Sequence, residues 1–85
     1  MATTKEQLLK VVKGILVDNG HAFDVEMSTN LTKDWGLSDI EFSIIVFEVY
    51  DRYKDVIPED EVYNYNEKHS RVEDIINWVL RWTNK

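Results

Sequence analysis

The sequence predicts an all-α fold, a bundle of three main helices and one short one, and three observations carry that expectation. Apolar residues recur at helical spacing in segments that begin near residues 4, 38 and 70. Each of these segments opens on a hydroxyl residue with Gln or Glu three positions on: Thr4 with Gln7, Ser38 with Glu41, Ser70 with Glu73. That spacing lets the two side chains satisfy each other's backbone N–H groups at a helix start. A fourth start is Ile57-Pro58-Glu59-Asp60-Glu61, where proline suits the first helical position and the acids complement the positive end of the helix dipole.

Taken in order, the first helix is expected over 4–18. Leu8, Leu9, Val11, Val12, Ile15 and Leu16 form its apolar face, Gly14 weakens it slightly, and Asn19-Gly20 stops it. From His21 to Leu37 the apolar residues keep no period, and Ser28, Thr29, Asn30 and Gly36 interrupt them. A loop this long is functional or held by a few side chains, and Phe23, Val25, Met27, Leu31 and Trp35 are the expected pins. The second helix is expected over 38–54. Ile40, Phe42, Ile44, Ile45, Val46, Phe47, Val49, Tyr50 and Tyr53 leave it little polar surface, so neighbours should touch it on most sides. Its β-branched residues make a strand over 43–50 the competing assignment, and length and cap favour helix. A short helix over 58–64 ends at Asn64 and Asn66. The last helix, over 70–83, carries Val72, Ile75, Ile76, Val79 and Leu80. Trp78 and Trp82 share a face of it, and Trp35 and Trp78 are expected in the core.

Composition narrows the function classes. The 85 residues fit one domain, 1–85, with 44% hydrophobic and 31% charged residues, as in a soluble globular protein. No apolar run has the length of a membrane span, and the N-terminus lacks the apolar core of a signal peptide. With 0 Cys there is no disulfide, thiol nucleophile or thiolate metal site, and a cytoplasmic location is expected. A formal charge of -6 disfavours nucleic acid and favours a basic protein surface. Asp18, His21, Asp24 and Glu26 lack calcium-loop spacing and a lone His makes no zinc site, so no metal is expected. Glu59, Asp60 and Glu61 read as solvated helix-start acids and His69 as loop surface. No Gly-rich phosphate loop, basic stripe or nucleophile triad is present, and an enzyme is not expected.

The order of these segments resembles an acyl carrier protein along essentially the whole chain. Asp34-Trp35-Gly36 is similar to the family's Asp-Leu-Gly, and Ile57-Pro58-Glu59-Asp60-Glu61 to its Ile-Pro-Asp-Glu-Glu. Val72-Glu73-Asp74-Ile75-Ile76-Asn77-Trp78-Val79 is similar to its closing Val-Gln-Asp-Ala-Ile-Asp-Tyr-Ile. The resemblance implies an acyl-carrier-protein-like bundle, monomeric and not itself a catalyst, that serves enzymes of fatty-acid-like or polyketide-like biosynthesis. Family members carry phosphopantetheine on the serine of Asp-Ser-Leu, where the second helix starts.

Here that tripeptide is Ser38-Asp39-Ile40, so the family's serine position holds Asp39 and the only adjacent hydroxyl is Ser38. Ser38 is then either a displaced attachment residue or simply the helix cap, and Asp39 in the first turn suits the helix dipole. Folding accepts Ser-Asp and Asp-Ser equally; attachment chemistry does not. The resemblance also implies that partner enzymes with basic surfaces dock on an acidic stripe of this helix. Glu41 and Asp51 match acids of that stripe, Glu48 adds to the solvent face, a common glutamate is Ile44, and Arg52 replaces another acid. The core between helices, at Phe42, Ile45, Val46, Ile57, Val62 and Ile76, would by the same resemblance shelter an acyl chain. Two functions follow: a carrier armed on Ser38, or a carrier-fold interaction module with no arm.

Overall fold

The computed structural model describes residues 4–21, 24–65 and 68–84. Its elements are α1 (Lys5–Asp18), α2 (Asp39–Arg52), α3 (Glu59–Tyr63) and α4 (Val72–Thr83), with no strand among the described residues. Residues 43–50, where a strand competed, are helical. Among the described residues an isolated antiparallel bridge joins Asn30 to Arg71.

Local chemistry accounts for the ends of α1 and α2. Thr4 Oγ1 accepts the Gln7 N–H at 3.2 Å and Gln7 Oε1 accepts the Thr4 N–H at 2.9 Å. At the far end the His21 N–H reaches back to the Leu16 carbonyl at 2.8 Å, around Gly20 at φ 82, a left-handed conformation that favours glycine. Pro58 stands one position earlier than expected, as the residue before α3 rather than its first.

The start of α4 differs from expectation. Ser70 does not cap it: the helix begins at Val72, and Asp74 Oδ2, not Glu73, accepts the Arg71 N–H at 3.3 Å. Two free N–H groups of the first turn are instead satisfied by the long loop. Val72 donates to the Thr29 carbonyl and Glu73 to the Met27 carbonyl, both at 2.9 Å. Ser70 is buried and directed into that loop. Tertiary partners have replaced a local cap.

The core joins all four helices. Leu8, Val12, Ile15 and Leu16 of α1 meet Phe42, Ile45, Val46 and Val49 of α2, Val62 of α3, and Val72, Ile75, Ile76, Trp78 and Val79 of α4. Burial of each aliphatic side chain contributes about 1.5–3 kcal/mol. Val25 and Leu31 pin the long loop, and Ile57 pins the approach to α3, each nearly inaccessible to solvent. Met27 and Trp35 pack against the core only half-buried, so Trp35 is less enclosed than expected. Phe23, the remaining expected pin, lies outside the described residues. Trp78 is buried, while Trp82 is half-buried and donates from Nε1 to Glu61 Oε1 at 3.0 Å. Glu61 thus ties α3 to α4, a tertiary role beyond that of a solvated helix-start acid. No described helix is long and apolar enough to cross a membrane.

Candidate functional site

Ser38 and Asp39 are exposed where α2 begins, reached through Gly36 at φ 68. Ser38 Oγ accepts the Glu41 N–H at 3.2 Å, and Glu41 Oε1 accepts the Ser38 N–H at 3.1 Å. The backbone and side-chain hydrogen bonds from Ser38 hold the Glu41 carboxyl below its ordinary pKa of 4.5. Upstream, Asp34 folds the loop: its Oδ2 accepts the Asn30 N–H at 2.9 Å and its own N–H donates to the Asn30 carbonyl at 2.8 Å. Asp39 faces a cleft that Thr32, Lys33, Lys68 and Ser70 complete.

A phosphodiester arm is joined through a hydroxyl, and Asp39, the first residue of α2, offers a carboxylate. The neighbouring hydroxyl, on Ser38, is one residue back. Stepping back one helical residue turns a side chain by about 100° and moves it about 1.5 Å along the axis. Ser38 Oγ is also the acceptor that satisfies the helix start. Asp39 itself has no hydroxyl through which the group could be joined.

Three carboxylates expected to meet a partner have partners within the chain. Glu41 closes the cap on Ser38. Glu48 accepts the side-chain N–H of Asn19, tying α2 to the end of α1. Asp51 Oδ1 lies 3.8 Å from Lys54 Nζ. Arg52 Nη2 approaches Asp18 Oδ2 at 4.0 Å. All of these groups are exposed, so the contacts contribute little stability; the partners of Glu41 and Glu48 are neutral, and only the Lys54 and Arg52 contacts set opposite charges together.

Between these acids α2 shows solvent an apolar stripe. Ile40, Ile44 and Phe47 are 75%, 45% and 42% exposed and stand at i, i+4 and i+7. The buried stripe of the same helix is Phe42, Ile45, Val46 and Val49. At about 100° per residue the two stripes lie on opposite sides. The expectation that neighbours would touch α2 on most sides is therefore corrected. Its main packing partners are α1 and α3, and its outer face is left open. The polar residues Glu41, Ser43, Glu48, Asp51 and Arg52 marked the solvent side in the sequence, and the outer apolar stripe lies among them.

Beside the stripe, Phe42, Ser43, Val46, Phe47, Val62, Tyr63 and Tyr65 line a cleft of about 390 Å³ between α2 and α3. Tyr63 is 66% exposed and meets Phe47 edge-on at 5.6 Å between ring centroids. Its hydroxyl donates to Glu59 Oε1 at 3.2 Å, and that bond together with the Glu59 charge raises its pKa. Tyr65 donates to the His69 carbonyl at 2.6 Å, and burial, with the Asp74 charge, pushes its phenol well above the usual value. Of the residues expected to shelter an acyl chain, Phe42, Val46 and Val62 reach this cleft. Ile45, Ile57 and Ile76 are sealed in the core. The described residues contain no group of three or more His, Cys, Asp or Glu able to hold a metal ion.

Compared with protein-family models, with curated proteins and with solved structures, the chain matches none.

Proposed function

We propose that this chain is an acyl-carrier-protein-like docking module that serves enzymes of fatty-acid-like or polyketide-like biosynthesis and carries no phosphopantetheine. The observation that carries the proposal is the start of α2. A carboxylate, Asp39, occupies the family's attachment position, and the adjacent hydroxyl, Ser38, is committed to the capping box. The four-helix order, the apolar cleft between α2 and α3 and the acidic charge support a carrier-type scaffold that partners read from outside. Recognition, not covalent carriage, is then the function.

A second reading, a carrier armed on Ser38, has one observation in its favour: Ser38 is exposed and uses its oxygen, not its proton, in the cap. Incubation with a phosphopantetheinyl transferase and coenzyme A separates the two. The protein should keep its mass while competing with an authentic acyl carrier protein for a carrier-dependent enzyme. A mass gain localised to Ser38 would make it a working carrier, and absence of competition would remove the docking role.

A further inference from the structure

We infer that Asn19-Gly20 is a modification site, a one-way latch at which loss of the Asn19 side-chain amide unties α1 from α2. No other asparagine in the sequence precedes glycine; the rest are followed by Leu31, Tyr65, Glu67, Trp78 or Lys85. The reaction is intramolecular. The Gly20 backbone nitrogen attacks Asn19 Cγ, a C–N bond forms, and the Cγ–Nδ2 bond breaks. The proton of the attacking N–H leaves with the departing nitrogen as ammonia. Water then opens the five-membered succinimide at one of its two carbonyls, leaving aspartate or isoaspartate at position 19. Glycine makes the step accessible because no Cβ crowds the attacking backbone.

The fold holds this dipeptide closed in three ways. At Asn19 ψ is 12°, so the Gly20 nitrogen nearly eclipses Asn19's own nitrogen and lies well away from the side chain it must attack. The Gly20 N–H is bonded to the Val17 carbonyl at 3.0 Å, which holds its proton. Asn19 Nδ2 donates to the Ile15 carbonyl at 2.8 Å and to the Glu48 carboxylate, so both helices fix the side chain. All three must open before the ring can close. Asn19 and Gly20 are exposed and sit just past the end of α1, so a local opening suffices.

The product cannot return to the closed arrangement. Nδ2 donates to two acceptors, and the carboxylate that replaces it only accepts. Aspartate at position 19 meets the Ile15 carbonyl and the Glu48 carboxylate with no N–H between them. It also sets a negative charge at the negative end of the α1 dipole. Isoaspartate routes the main chain through Cβ and Cγ and lengthens it by one atom. That displaces the His21 N–H from the Leu16 carbonyl, the 2.8 Å bond that closes α1 around Gly20. The neighbouring approach of Arg52 to Asp18, at 4.0 Å and exposed, is too weak to hold the two helices in its place.

The test incubates the intact chain in mildly alkaline buffer, folded or in guanidinium chloride, and follows tryptic peptide 14–33 by mass spectrometry. Amide-to-acid conversion at Asn19 should be fast in denaturant and about tenfold or more slower in the folded chain. Asn30 in the same peptide is the internal control. Asn19→Gln, which would need a six-membered ring, should stay unmodified at that position. Glu48→Ala removes one acceptor and should speed the folded-state reaction about threefold. Equal rates in folded and denatured chains, or an unchanged rate in Glu48→Ala, would overturn the latch. No conversion in either state would overturn the site itself. Asn19→Asp stands for the product and should unfold at lower denaturant than wild type, with faster amide exchange at the end of α1. An Asn19→Asp chain as stable and as protected as wild type would show that the modification unties nothing.

Discussion

Ser70 Oγ donates to Asn30 Oδ1 at 2.9 Å, joining the entry to α4 with the middle of the long loop. Asn30 Oδ1 also accepts the N–H groups of Thr32 at 3.1 Å and Lys33 at 2.9 Å. Thr32 Oγ1 lies 2.8 Å from Ser70 Oγ, completing the cluster. Asn30→Ala leaves several of these part-buried groups without their partner. It should lower stability by about 1–3 kcal/mol. Ser70→Ala, which orphans fewer groups, should cost less. Urea unfolding followed by tryptophan fluorescence measures both, and equal costs would remove Asn30 as the hub.

The capping box at the start of α2 should appear in the pH dependence of stability. Glu41 has a lower pKa folded than its ordinary 4.5, because its carboxylate accepts the Ser38 N–H. Between the two values the unfolded chain binds more protons, so stability rises with pH through that window and is lost as pH falls. The contribution is present above the unfolded pKa and lost below the folded one. Glu41→Gln should flatten the acid limb of the stability curve. Ser38→Ala should lower stability at neutral pH by about 1 kcal/mol. An acid limb identical in Glu41→Gln and wild type would show that Glu41 contributes nothing there.

Exchanging the order at positions 38 and 39 should create an attachment site. Ser38→Asp with Asp39→Ser keeps a good cap and moves the hydroxyl to the position the family resemblance assigns. Given a transferase and coenzyme A, the double variant should gain the mass of the arm and wild type should not. Misplacement by about 1 Å can cost roughly a hundredfold in rate. Asp39→Ser alone should react more slowly. An inert double variant would mean that α2 is not presented as a carrier helix.

Ile44→Glu should make the salt dependence of binding to a basic surface steeper. Wild type offers such a surface Ile44, between Glu41, Glu48 and Asp51, each of which already has a partner within the chain. An added exposed carboxylate strengthens the screened part of the interaction. The measurement is affinity against ionic strength in both proteins. Equal slopes would remove the argument.

Helix type and the starts of α1 and α2 were legible in the sequence because their causes are local. Thr4 with Gln7, Ser38 with Glu41 and the apolar period all act within one or two turns, and Asn19-Gly20 stops α1 by backbone geometry. The order Ser38-Asp39 was legible for the same reason, since it is read directly from the sequence. Only the tertiary structure decided how Ser70 is used: its hydroxyl meets Asn30 forty residues away, and the loop carbonyls of Thr29 and Met27 cap α4 instead. It also decided how much of the apolar surface of α2 is covered. Phe42, Ile45, Val46 and Val49 face the other helices, while Ile40, Ile44 and Phe47 face solvent. Both stripes satisfy the same helical period. The polar residues Glu41, Ser43, Glu48 and Asp51 mark the solvent side within the segment, but how much of the apolar surface among them stays uncovered depends on where α1 and α3 pack.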